Sequence, residues 1–492
     1  MLREYRQEFE GFHEALAREA YVHFAGRKES LDLEPIYDRH SALFTLEAIG
    51  RLRAQRDATS LLLPTQRHAI DLLIAFAERG FIERAVAPLT EEIAESESGQ
   101  KVSVDGEEIP FHESAVILAR EPSRERRRCI YQARRETMES VNAKRIERIQ
   151  QLHQLARGLG FDSYRAMIEQ QTRTDFSRMA VELTHWAGRA EESYRMTLAR
   201  SLSQTLKVKP EEAERFDQPF FQQLSEYDGR FPASGLREAY RETLLGLGIK
   251  LDMQTNIEID DENRSRKHPR AFCSPISIPG EIKLVIRPTG GQNDYQALMH
   301  EGGHAQHFAW TSPGLPPEFR YEGDHAITES YAFLFNYLVI DPWWLDDILG
   351  FRSSEGFIES SRLVKQLYLR RYAAKLMYEV ELHSNGVGEA TADRYAALLT
   401  RATGFRHYPE ESLIDTDDGF YSAEYLRAWA LEVLLREYLL THFGKRWWRS
   451  RRAGEFLIDL WNTGQQYRAE ELAKSAGLGE MSFEPLFGEL LA

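Results

Sequence analysis

The chain has 492 residues, 42% hydrophobic and 28% charged, a composition that suits a large folded core and excludes a disordered or fibrous protein. Its formal net charge of −15 argues against nucleic acid as a partner, since a polyanion is repelled rather than held. No apolar run approaches the roughly 18 residues a membrane helix needs, and the charged amino-terminal stretch lacks the apolar segment of a signal peptide.

Taken in chain order, helix dominates. Residues 1–90 read as several amphipathic helices. Residues 101–110 read as a hairpin turning at Asp105-Gly106. From 121 to about 169 the pattern is long, charged and helical, and its run of arginines from Arg124 to Arg128 (Glu125 interrupting) reads as a solvated face rather than an anion site. Helix continues to about Gly248. Three short strands follow, at 257–260, 270–274 and 281–286, alternating and rich in β-branched residues. They predict a small sheet just before the most informative segment, and an exposed edge of such a sheet can hold an extended peptide by strand addition. No repeat or Pro/Ser-rich linker marks a boundary. The expected division is a mostly helical region over 1–205 and a metal-binding region over 206–492, the two interwoven. The two cysteines, Cys129 and Cys273, have no C-x-x-C partner, which points to a reducing cytoplasm rather than a disulfide framework.

The informative segment is His300-Glu301-Gly302-Gly303-His304, an H-E-x-x-H motif. Gly290-Gly291 ends the preceding strand, and Asn293 with Gln296 predicts a capped helix start. On that helix His300 and His304, four apart, share one face and offer two nitrogen ligands to a zinc ion, while Glu301 is placed to act as general base on a water there. Tyr295, Leu298, Met299, Ala305 and Ala309 fall on another side and predict the core face. Gly302 and Gly303 each cost a helix up to about 1 kcal/mol relative to Ala, which suggests that another backbone approaches there.

A catalytic zinc needs a third protein ligand and one open position. His307 lies about 10.5 Å along the axis from His300, too far to share the ion easily, and reads as a surface or supporting residue. The next candidates stand in 321–331. Glu329 borders the apolar run Tyr331–Phe335, where a carboxylate is costly unless paired or metal-bound. Glu322, Asp324 and His325, in the more polar approach, could orient the ligating histidines. Further on, Gly419-Phe420-Tyr421 leads into an aromatic helix carrying Tyr425. Either tyrosine is a candidate donor to the oxyanion of an acyl-transfer intermediate. His407, before a Tyr-Pro turn, reads as structural.

These residues resemble the oligoendopeptidase F and thimet oligopeptidase family of zinc metallopeptidases. The resemblance rests on the run Leu298–His307 and on Glu329, which follows His304 by 25 residues (329 − 304), the family's spacing to its glutamate ligand. The segments 270–273, 281–286, 155–164 and 419–425 also resemble family landmarks, so the likeness runs from about 115 to 430. It implies a mainly α fold with two helical lobes flanking a deep channel, and a zinc ion held by His300, His304 and Glu329. It also implies Glu301 as the base and short unstructured peptides as substrates. The tyrosine loop is spaced differently here, which leaves Tyr421 and Tyr425 both open, and the family's loop histidine has no counterpart. Two other readings are a zinc carboxypeptidase or dipeptidase on a related helical fold, and a non-catalytic helical scaffold. An intact Glu301 opposes the second, since structure alone does not need that base.

Overall fold

The structure, a computed structural model, describes residues 2–491. Helices predominate, and the described residues contain two small sheets, a hairpin and a three-stranded sheet. The fold is therefore mainly α. The chain divides into two compact units, each built from separated segments. The first comprises 1–81, 225–358 and 427–486, and the second 82–224, 359–426 and 487–492. The boundary expected near 205 lies within the second unit, and residues 206–492 contribute to both.

In the second unit the hairpin forms as expected, Lys101–Val104 antiparallel to Glu107–Pro110. Its inward residues Val102, Val104 and Ile109 pack with Ile130 and Met138 of the long helix Arg124–Gly158. The arginine run on that helix is only in part a solvated face: Arg128 is exposed and Arg124 and Arg126 half-buried, but Arg127 is not. Arg127 is buried, donates to Asp217 at 2.9 Å and lies over the Phe220 ring, and Arg124 donates to the same carboxylate. A buried guanidinium is tolerable only with such a partner, and Asp217, some ninety positions away, is invisible to local pattern. His407 is buried beside Glu411, with Nδ1 3.6 Å from Oε2, in keeping with a structural role.

In the first unit the predicted strands form, with bounds Ile257–Asp260, Phe272–Ser277 and Glu281–Val285. The last is central, parallel to the first and antiparallel to the second. The amino-terminal helix Leu2–Phe24 covers one face, where Tyr21 packs with Ile276 and Val285. The loop between the outer strands is tied down by Lys267. Its buried ammonium donates to Asp260 Oδ1 at 2.9 Å and to the carbonyls of Asp260, Glu262 and Ile286. The helix that follows the sheet carries the H-E-x-x-H motif.

Candidate metal centre

The motif lies on the helix Gln292–Trp310. Gly290 and Gly291 take φ of 87° and 94°, left-handed backbone that favours glycine, and turn the chain from strand to helix. The helix start is not capped by Asn293. Gly291 stands at the cap position, and the carboxylate of Asp228 accepts from the Gln292 amide at 3.1 Å. An acceptor from another segment does the work expected of the local box. Tyr295, Leu298, Met299 and Ala305 are buried as expected, but burial extends further round the helix, to Gln306 and His307.

The two glycines have a geometric reason. A Cβ on Gly303 would stand 2.7 Å from both the Ala332 Cα and the Tyr331 carbonyl oxygen. The helix His325–Asn336 can therefore approach backbone to backbone. A Cβ on Gly302 would stand 2.4 Å from the Tyr240 ring, whose hydroxyl donates to the Gly302 carbonyl at 3.0 Å. The approach at Gly303 brings Glu329, one turn before Ala332, toward the histidines.

That second helix is itself fixed at its start. Asp324 caps it, accepting from the Ala326 amide at 3.1 Å, and also takes two hydrogen bonds from the buried Arg427, which in turn donates to Glu470. Asp324 thus helps fix the start of that helix. Glu322 is engaged by Arg79 at 2.7 Å, and His13 lies 3.5 Å from it. His325 begins the helix.

His300 Nε2 lies 3.4 Å and His304 Nε2 3.7 Å from the same Glu329 oxygen, Oε2, and one ligand atom from each of the three residues falls within 4.8 Å of the others. Zinc–ligand bonds of about 2.0–2.2 Å at tetrahedral angles place donor atoms roughly 3.4 Å apart. The observed spacings match, and two imidazoles with one carboxylate form a donor set suited to zinc. The residues therefore fit the ion that the resemblance implies. Glu329 is buried, as the apolar context of its helix required.

Two contacts that the sequence did not suggest complete the cluster. Thr328 Oγ1 lies 2.8 Å from His304 Nδ1. The Cys273 amide, on the edge strand Phe272–Ser277, donates to Glu301 Oε2 at 2.8 Å. Thr328 was discoverable as the neighbour of a candidate ligand; the amide was not, because a backbone donor leaves no side-chain signal.

The electrostatics follow from burial. Burial pushes the Glu301 carboxyl up to about 7, with His300 and the Cys273 amide pulling against it and Glu329 adding to it. Burial lowers His304 to about 4, so its imidazole is neutral at pH 7 and competent as a ligand. Burial also opposes charge at His300, but the hydrogen bond to Glu329 and the nearby Glu301 outweigh it and raise its pKa. Protons therefore compete for His300 before His304 as pH falls. Phe333, one turn past Glu329, packs edge-on against the His300 ring at 5.2 Å.

His307 is a core residue, correcting the surface reading. It is fully buried, with Nε2 3.3 Å from the Gly464 carbonyl and its ring against Tyr331. Burial lowers its pKa to about 3.

Tyr421 and Tyr425 belong to the second unit. They begin the helix Tyr421–Phe443, half-buried, with ring centroids 4.9 Å apart and edge-to-face. The preceding turn is unusual: Gly419 and Phe420 both take positive φ, and Phe420 stacks on Phe176 at 4.5 Å.

No family model matches the chain and no curated protein matches it by sequence. Solved structures do. A protein assigned as an oligoendopeptidase F from Bacillus anthracis str. Ames superposes with a TM-score of 0.64 at 14% identity, covering 99% of this chain and 88% of that one. PZ peptidase A with an inhibitor gives 0.63 at 15% identity, over 96% and 85% of the two chains. A protein assigned as a peptidase from Chlamydophila abortus gives 0.63 at 16% identity, over 100% and 89%. With so little shared sequence and nearly complete coverage, the chain has the fold of the oligoendopeptidase F and PZ peptidase structures.

Proposed function

We propose that the protein is a zinc-dependent metallopeptidase that cleaves short unstructured peptides at internal bonds. The observation that carries this reading is the convergence of His300, His304 and Glu329 at ligand spacing with Glu301 beside them. The peptidase neighbours, and the resemblance of the sequence to their family, support peptides as the substrate class.

His300, His304 and Glu329 would hold the ion, which supplies Lewis acidity to a substrate carbonyl and to water. Glu301 takes the proton from the attacking water through its carboxylate and returns it to the leaving amine. The Cys273 amide holds one carboxylate oxygen, leaving the other for the proton. Tyr421 or Tyr425 is the proposed donor to the oxyanion, on the resemblance of their loop alone. A reducing, cytoplasmic setting is consistent with two free cysteines.

The test joins metal content to product mapping. The purified protein should retain about one zinc per chain and cut end-blocked, quenched fluorescent peptides internally. Glu329→Ala should lose both zinc and cleavage. Stoichiometric zinc retained in that variant would remove Glu329 from the ligand set. Cleavage confined to free carboxyl or amino termini would replace the endopeptidase reading with an exopeptidase one.

A further inference from the structure

The residue before the glutamate ligand has no role in the chemistry above, yet it touches the metal cluster. Thr328 is buried, and its hydroxyl meets His304 Nδ1 at 2.8 Å, on the side of the ring away from Glu329. Glu329 Oε2 faces the other ring nitrogen, Nε2, at 3.7 Å. Consecutive residues of one helix point about 100° apart, so 328 and 329 can reach opposite edges of one imidazole. Backbone contact at Gly303 sets the distance at which they do so.

We propose that Thr328 is a positioning residue for the metal site: it fixes the ring orientation and tautomer of His304 so that Nε2 is presented to the ion. This role rests on the metallopeptidase reading. An imidazole that ligates through Nε2 carries its proton on Nδ1, and the partner of Nδ1 decides which nitrogen is free. With the proton on Nδ1, the imidazole would donate to the Thr328 hydroxyl oxygen across this 2.8 Å contact. Carboxylates, backbone carbonyls and water are the usual partners. A neutral hydroxyl holds the tautomer without adding a third carboxylate to a pocket that already contains Glu301 and Glu329.

The site also explains why this residue is threonine rather than a larger polar one. Thr328 is followed by buried residues through Phe335, on a helix packed backbone to backbone with its neighbour. A short side chain with a stiff χ1 fits there and holds its oxygen in place.

The test is zinc affinity of the full-length protein, measured by competition with a chromophoric chelator and so independent of catalysis. Thr328→Val, nearly isosteric, should bind zinc about 10–100-fold more weakly, the usual effect of losing such a partner. Thr328→Ser, which keeps the hydroxyl, should recover most of that loss. Histidine ring 15N spectra of the zinc-loaded proteins should show a slowly exchanging Nδ1–H in wild type and Ser, lost in Val. Should Val fail to fold, Thr328→Ala reads the same affinity. Wild-type affinity in Val or Ala overturns the role, and so does a Ser variant as weak as Val, which would point to methyl packing. A wild-type protein that binds no zinc overturns the metal reading and this role together.

Discussion

Two buried clusters in the first unit treat their ionisable groups in opposite ways. Around Asp260, burial favours the neutral acid, but hydrogen bonds from Lys267, Arg264 and Arg27 outweigh it and hold the carboxyl at about 2. Around His300, burial wins at Glu301 and His304, leaving an acid near 7 and an imidazole near 4. The first cluster supplies its own cations and is complete as protein. The second gathers two imidazoles and two carboxylates at a spacing that suits an added cation. A buried charge matched by side chains marks structure; ionisable groups biased toward neutrality and aimed at one point mark chemistry. Asp415 in the second unit repeats the structural case. Burial opposes its charge, Arg371 and Lys375 outweigh that, and its carboxyl sits at about 2.

This contrast can be broken by mutation. Asp260→Asn should have the largest effect on stability, about 3–5 kcal/mol, because it strands the buried Lys267 ammonium. Zinc affinity should not change. Chemical denaturation with parallel zinc titration checks both, and a loss of zinc binding equal to the loss of stability would erase the distinction. The sign with pH follows from the depressed carboxyl. Its contribution is present above the unfolded value of about 3.9 and is lost as pH falls through about 2. The variant should therefore lose less stability than wild type over that window.

On the chemical side, if Tyr421 or Tyr425 donates to the oxyanion, one of the two Phe variants should lose about 10²–10³-fold in kcat with little change in KM. Equal, small effects in both would return them to packing. Gly303→Ala joins the two regions' logic: overpacking against Ala332 and Tyr331 should cost about 1–3 kcal/mol and weaken zinc binding as well. A thermal scan and a chelator titration read the two effects. The gentlest probe is pH. With Glu301 acting as a base, kcat/KM should fall as pH drops through its pKa, which burial raises to about 7 and a bound cation moves back toward the ordinary glutamate value. A rate flat down to pH 4 would exclude Glu301 as the base.

What the sequence made legible was local. The i, i+4 histidines, the alternating strands and the carboxylate beside an apolar helix are short-range patterns, and the structure contains each of them. What stayed hidden depended on residues distant in the chain. Asp228 reaches the helix start that Asn293 seemed to cap, and Asp217 pairs with an arginine that periodicity assigned to solvent. His307 looked peripheral because its partner, the Gly464 carbonyl, lies 157 positions away. The division into units from alternating segments escaped notice because no linker composition marks it. The two glycines of the motif fall between these cases: their presence hinted at close packing, but the helix they admit was known only from the fold.

The central claim is that Glu301 is the base in a metal site built by His300, His304 and Glu329. The most direct measurement is kcat/KM for a quenched fluorescent peptide in Glu301→Gln, with zinc content measured on the same sample. The account predicts full zinc occupancy and a loss of about 10²–10⁴-fold, the range that general-base catalysis supplies. Near-wild-type turnover at full occupancy would contradict it.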